Sequence, residues 1–353
     1  MEFRVRIGRK GKGLAAALIN GAASEPFSGV SWDGRTLTLE MAYYDAKIVA
    51  AVKGDDLLGT YARIISTGTR EYPFFASRRL PTPTPVLKGG VSVAGTWSAE
   101  IAQPDGIEKV VAILAQNGTA VTGTMATPGG DYGPLHGTFD GEQLVLMVFN
   151  GVFIYRFDAE LLPDGTLAGE FRSGKDPPVD WRAARQAAIA EFPGSKPKEP
   201  AKPFVFRLPD LDGRAVSSSD PRFSGKAMIV TAMGTWCPNC HDEAAVLEEL
   251  QKRFGPLGLE VVAFTYEANS DMERNRRLVG QFRKRERVTY PILFAGTTKE
   301  AASSPLFAAL DGPRVYPTTL FLDRQHRIVK AHSGFDGPAT GDRFRKLKKD
   351  WNE

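Results

Sequence analysis

Only two cysteines occur in this chain of 353 residues, Cys237 and Cys240, and only four histidines, His136, His241, His326 and His332. Two cysteines three positions apart cannot staple a small extracellular domain, so the pair points to redox or metal chemistry instead. Zinc is poorly served, because a structural site needs about four ligands and one histidine alone stands near the cysteines. No run approaches about 18 consecutive apolar residues, so no segment reads as a membrane-crossing helix. A dominant charge is also lacking, since the formal net charge is +4. The densest basic stretch, Arg274 to Arg287, reads as the solvated face of a helix, and no nucleic-acid partner is expected. The opening Met1-Glu2-Phe3-Arg4-Val5-Arg6 alternates like a strand and has no apolar core of a secretion signal, which taken literally points to the cytoplasm.

What is present fits an ordinary folded protein. Apolar residues make up 42% and charged residues 24% of the chain, close to the averages for globular domains, and the length suggests two domains. A repeat runs through the first half. Asp33-Gly34-Arg35-Thr36-Leu37-Thr38-Leu39 returns as Asp140-Gly141-Glu142-Gln143-Leu144-Val145-Leu146, an offset of 107, and Leu57-Leu58-Gly59-Thr60-Tyr61 returns as Leu167-Ala168-Gly169-Glu170-Phe171, an offset of 110. Each copy alternates like short strands, with Asn117-Gly118 and Asn150-Gly151 as hairpin turns. Residues 1–190 are therefore expected to form an all-β barrel or sandwich of two repeats, about 1–80 and 95–175, with a short trailing helix over Trp181 to Ala190.

Gly95-Thr96-Trp97 opens the second copy, and the same offset places its first-copy partner about twelve residues before Met1. The expectation is a natural start further upstream, with room for an export signal, and hence a periplasmic or otherwise exported protein, with the cytoplasm as second choice. A proline- and lysine-rich stretch over 191–203 reads as an extended linker.

From Phe204 to Glu353 the pattern changes to alternating strands and helices. An apolar run, Lys226 to Met233, suits a buried strand, and the cysteines follow it. An amphipathic helix comes next through Ala244, Leu247, Leu250 and Phe254. Later elements are a strand over Leu259 to Phe264, a helix over Met272 to Arg285 and a strand over Tyr290 to Phe294. A helix over Lys299 to Leu310, strands over Thr318 to Leu322 and Ile328 to His332, and a helix over Asp342 to Trp351 complete the series. The fold class expected is α+β multidomain, with this second half an α/β unit on a mixed sheet.

The strand-to-helix position puts Cys237 at a helix N-terminus. Free amide donors and the helix dipole there favour the thiolate, making Cys237 the attacking sulfur. Cys240, one turn in, suits the resolving thiol, and Pro238 falls where a first-turn proline costs no hydrogen bond. Cys237-Pro238-Asn239-Cys240-His241 also spells the attachment pattern of a c-type haem, but it stands inside a strand-to-helix turn without an evident haem pocket, so neither cofactor nor metal is expected.

Three features together resemble the thioredoxin superfamily, specifically its TlpA-like thiol-disulfide oxidoreductases: Trp236-Cys237-Pro238-Asn239-Cys240 after a buried strand, the lead-in Phe206-Arg207-Leu208-Pro209-Asp210-Leu211-Asp212-Gly213, and Tyr316-Pro317-Thr318-Thr319 before a later strand. The resemblance covers about Pro203 to Trp351. It implies a cis Pro317 packed against the cysteines, with Tyr316 and Thr318 offering backbone to a substrate and Trp236 and Pro238 at the rim. It also implies an acidic residue beside the cysteines, Glu243, which either moves the proton of Cys240 or merely complements the helix dipole from an exposed position. Thr231 stands where ordinary thioredoxins carry a buried aspartate. A peroxidase reading fits less well, because Gly234 stands where a peroxiredoxin carries threonine. The activity implied is electron exchange with protein dithiols or disulfides, more in the reducing direction, with a redox partner protein as electron source or sink. In the alternative, the β half is the working part, a ligand- or protein-binding module, and the thioredoxin-like half is an accessory.

Overall fold

A computed structural model describes residues 3–78, 86–186, 192 and 194–353. The chain divides into two compact units, one essentially 1–191 and the other essentially 192–353.

The first unit is all β among its described residues. Its first half carries β1 (Arg4–Lys10), β2 (Gly13–Asn20) and β3 (Ala23–Pro26) in one sheet, and β4 (Gly29–Trp32), β5 (Thr36–Met41), β6 (Ala46–Lys53), β7 (Asp56–Ile65) and β8 (Gly68–Ser77) in another. The second half carries β9 (Gly95–Gln103), β10 (Gly106–Asn117), β11 (Ala120–Thr127), β12 (Gly130–Asp131), β13 (Leu135–Phe139), β14 (Gln143–Phe149), β15 (Ile154–Leu161), β16 (Leu167–Ser173) and β17 (Val179–Arg185). Its order β10-β9-β17-β16-β15-β14-β13-β11 closes through a β10–β11 pairing into an eight-stranded barrel, which leaves no open edge around the ring.

The repeat is visible strand by strand. Asp33 accepts from the amides of Arg35 (2.9 Å) and Thr36 (2.7 Å), and Asp140 accepts from Glu142 (2.9 Å) and Gln143 (2.8 Å). The same Asx turn thus starts β5 and β14. The strand β9 lies between β10 and β17, whereas β1 and β8, the counterparts of β10 and β17, each end a sheet among the described residues.

Inward positions alternate along these strands as a half-buried sheet requires. Trp97, Ala99 and Ile101 of β9 fill the barrel with Phe139, Phe157 and Trp181. Trp97 is a core plug whose indole N–H donates to the Val93 carbonyl at 2.9 Å. Phe157 joins the same core, while Phe149 turns into the core of the first half and Phe153 and Tyr155 are half-buried.

The trailing helix expected over Trp181 to Ala190 is corrected: Val179–Arg185 form β17, paired to both β16 and β9. Trp181 and Ala183 point inward at a spacing of two, so barrel closure prevails over the helix propensity of the alanines and arginines. Residues 187–190 lie outside those described.

The second unit is built on a five-stranded sheet. A short β18 (Lys196–Pro197) and the hairpin β19 (Arg207–Pro209) and β20 (Ala215–Ser217) precede β21 (Ala227–Met233), β22 (Leu259–Glu267), β23 (Ile292–Thr297), β24 (Leu310–Asp311), β25 (Thr318–Leu322) and β26 (Ile328–Ser333). The sheet order is β23-β22-β21-β25-β26. The pairs β21–β22 and β22–β23 are parallel, and β21–β25 and β25–β26 antiparallel. The helices are α1 (Pro238–Phe254), α2 (Met272–Glu286), α3 (Pro305–Ala308) and α4 (Asp342–Asn352). Ile229 and Met233 of β21 join one apolar core with Leu247 of α1, Phe282 of α2 and Trp351 of α4. Met228, Val230 and Ala232 join the other, with Phe204, Phe206, Phe223 and Phe307.

Two local expectations are corrected here. The linker expected over 191–203 is in part a strand, because Lys196 and Pro197 pair with Asp311 and Leu310, and the Ser195 amide donates to the Ser333 hydroxyl at 2.9 Å. Residues 191 and 193 lie outside those described. The helix expected over Lys299 to Leu310 is broken, since Ser304 is extended and Pro305 starts the single turn α3. A proline has no N–H to continue a helix from the preceding turn.

Candidate functional site

The strand β21 runs in the interior and delivers Gly234, Thr235, Trp236 and Cys237 to the start of α1. Cys237 is the N-cap of α1, with Pro238 at its first position, and its sulfur accepts from the Cys240 amide at 3.2 Å. The two cysteines form a disulfide and are almost equally buried, 4% and 2% exposed. The sulfur of Cys237 also lies 3.5 Å from the carbonyl oxygen of Tyr316, and the Tyr316–Pro317 peptide is cis. Trp236 is half-buried, its indole N–H donating to the Tyr266 carbonyl at 2.9 Å and its ring meeting Tyr316 edge-on at 5.3 Å. Thus Trp236, Cys237, Tyr316 and Pro317 meet at one place. Thr318 does not join them at the rim. It is fully buried, and its hydroxyl donates to the Val315 carbonyl at 2.8 Å.

Glu243 is an interior residue, 1% exposed. The alternative of an exposed glutamate complementing the helix dipole is therefore removed. It lies one turn beyond Cys240 on the sheet-facing side of α1. Thr231 of β21 donates to its Oε2 at 2.7 Å, and Thr319 of β25 donates to its Oε1 at 2.5 Å. Burial raises its pKa to about 7, against the pull of the hydroxyls of Thr319 and Thr231. A carboxyl of that kind changes charge near neutrality and can take up or release a proton there. Thr231 was legible as the position of a buried acid in ordinary thioredoxins. In this chain the acid that meets the Thr231 side chain comes from α1.

Other residues that hold the site gave little sequence signal. Glu267, fully buried at the end of β22, accepts from the Thr235 amide at 3.2 Å and from the hydroxyls of Thr235 (2.7 Å) and Thr265 (2.5 Å). His241 is 5% exposed, with Nδ1 2.7 Å from Glu286 Oε1 and Nε2 3.0 Å from the Thr235 carbonyl. Both ring nitrogens are thereby taken, so the histidine of the haem-like spelling has none to offer as an axial ligand. No group of three or more histidine, cysteine or acidic side chains among the described residues is arranged to hold a metal ion.

Comparison with known proteins agrees with this geometry. The Redoxin family matches residues 196–347. The thioredoxin-like protein YneN of Bacillus subtilis is 30% identical over 129 residues, which take in 36% of this chain and 68% of that protein. The thiol-disulfide oxidoreductase ResA of Bacillus cereus is 25% identical over 125 residues, 35% of this chain and 64% of the relative, so slightly less than two thirds of that protein is spanned. A thioredoxin family thiol:disulfide interchange protein from Chlorobium tepidum, 25% identical, covers 45% of this chain and 99% of its own, with a TM-score of 0.32 that carries no argument by itself. On its second unit, with the cysteine pair at the head of α1 and a redoxin match over residues 196–347, the chain belongs to the thioredoxin-like family.

Proposed function

We propose that the chain exchanges electron pairs with protein dithiols and disulfides through Cys237 and Cys240, and that it acts as a reductase. The observation that carries this reading is the pair at the N-terminus of α1, with the Cys237 sulfur against the Tyr316 carbonyl. In the reduced state the Cys237 thiolate, favoured by the amides of the first turn, attacks a substrate disulfide. A mixed disulfide forms and one substrate sulfur leaves as thiolate. Cys240 then loses its proton and attacks the Cys237 sulfur. The second substrate thiolate departs, and Cys237–Cys240 is left oxidised by two electrons. A dithiol donor protein returns those electrons.

Glu243 is the group assigned to the Cys240 proton, since a carboxyl titrating near 7 is half available as a base at neutral pH. That need arises when Cys240 must attack, which is the reducing direction. Tyr316 and Pro317 offer backbone to an extended substrate segment, and Trp236 and Pro238 form the rim. Thr318 contributes through its place in β25 and not through its hydroxyl. An oxidising, extracytoplasmic compartment is the proposed setting, since protein disulfides persist there.

The test is a Cys240→Ser variant offered a disulfide-bonded protein such as insulin. The expected product is a stable mixed disulfide through Cys237 that dithiothreitol releases. Recovery of free variant alone, with no adduct, contradicts the reading. The direction is read from the reduction potential: a value around −270 mV, near thioredoxin, supports a reductase, and one around −120 mV an oxidant.

A further inference from the structure

Thr235 is the residue from which the redox loop departs, and it is held at three points. Its amide and hydroxyl are bound by Glu267, and its carbonyl meets His241 Nε2 at 3.0 Å. The first two holds come from β22. The third comes from α1 itself, one residue past Cys240.

A carbonyl oxygen accepts only, so His241 must donate from Nε2. On the other side Nδ1 lies 2.7 Å from Glu286 Oε1. An ionised carboxylate also accepts only, so the contact is a hydrogen bond when Nδ1 carries a proton as well. The ring then stands between a carboxylate and a carbonyl with both ends donating. Its orientation is set once more by the Phe282 ring 4.6 Å away, and Arg285 Nε holds Glu286 at 2.8 Å. Although burial works to raise its pKa, the bond and charge of His241, with those of Arg285, hold the Glu286 carboxyl below its ordinary range.

We propose that His241 is a positioning residue of the redox site: donating from both ring nitrogens, it ties the Thr235 carbonyl to α1 and, through Glu286, to α2, and so sets the Cys237 sulfur where the Cys240 amide meets it. That amide contact is 3.2 Å to the disulfide sulfur, and kept in the reduced pair it is a hydrogen bond that favours the Cys237 thiolate. Slackening the clamp loosens the contact, stabilises the reduced pair less and makes the dithiol a stronger reductant. The inference rests on the thiol-disulfide reading above.

The experiment equilibrates the full chain and its variants with glutathione redox buffer at pH 7 and reads the dithiol and disulfide forms by alkylation and mass. His241→Leu, which has no donor, is expected to shift the equilibrium at least fivefold toward the disulfide, about 20 mV for a two-electron couple. Glu286→Ala, which frees the ring to turn, shifts it in the same direction. His241→Gln keeps two N–H donors on one amide and is expected to stay within twofold of the parent. A folded His241→Leu protein within twofold of the parent overturns the proposal, as does a glutamine variant displaced as far as the leucine one. Should the leucine variant fail to fold, Glu286→Ala within twofold of the parent overturns it alone. Failure of the thiol-disulfide reading looks different, because the parent itself would then show no reversible couple with glutathione.

Discussion

The Thr319 hydroxyl donates to Glu243 Oε1 at 2.5 Å, joining the strand that follows Pro317 to the helix that carries the cysteines. The hydroxyl of Thr231 completes the arrangement, 3.0 Å from that of Thr319 and bonded to the other carboxylate oxygen. Two hydroxyls are enough to keep a buried carboxyl chargeable and too few to return its pKa to that of an exposed one.

Glu243 should make the protein less stable as the pH rises. Its folded pKa, about 7, lies above the ordinary glutamate value of 4.5. Its stabilising contribution is fully present below the unfolded value and is lost as the pH climbs through about 7. The shift corresponds to an upper bound of about 3 kcal/mol, of which about 2 kcal/mol falls between pH 5 and pH 8. In Glu243→Gln that dependence should vanish, so the variant gains on the parent by about this amount from pH 5 to pH 8. Urea unfolding at the two pH values checks it, and equal slopes for parent and variant contradict it.

Thr319→Val should move the same proton the other way from a stabilising bond. The hydroxyl favours the charged carboxylate, so its loss raises the Glu243 pKa further, by up to about one unit for a hydrogen bond worth about 1 kcal/mol. In reduction of a protein disulfide followed against pH, the parent should have a midpoint near 7 and the variant one higher by that amount. A midpoint that stays put or falls separates Glu243 from the proton step.

The barrel offers a test that involves no redox chemistry. Trp181 of β17 is 1% exposed, and its indole N–H donates to the Asp158 carbonyl at 3.0 Å. Trp181→Ala should cost about 3–5 kcal/mol, for the cavity and the lost hydrogen bond together. Denaturant unfolding followed by strand-sensitive circular dichroism measures it. A loss below about 1 kcal/mol contradicts a closed barrel packed on that ring.

Much of this was legible from the chain alone, for identifiable reasons. The run Lys226 to Met233 followed by Trp236-Cys237-Pro238-Asn239-Cys240 reads as a buried strand feeding a helix, because the apolar run gives way to a helical period after the cysteines. Asp33-Gly34 and Asp140-Gly141 announced the same turn in both halves because the Asx side chain makes the turn locally. What stayed hidden depended on distant partners. Glu243 could be read as exposed or buried until Thr231 and Thr319 were seen to face it, and Lys196–Pro197 pairs with Leu310–Asp311, more than a hundred positions away. His241 was singled out by its spacing to the cysteines, yet its partners Glu286 and Thr235 left no pattern. Trp181 to Arg185 reads as helix in the sequence because alanine and arginine suit one until neighbouring strands take them.

The central claim is that the Cys237 sulfur is the attacking atom in thiol-disulfide exchange. Its most direct measurement is reduction of insulin by the full chain with dithiothreitol as electron source, parent against Cys237→Ser. The parent should accelerate the reaction clearly, and the variant should run at the uncatalysed background rate. A serine variant as fast as the parent contradicts it.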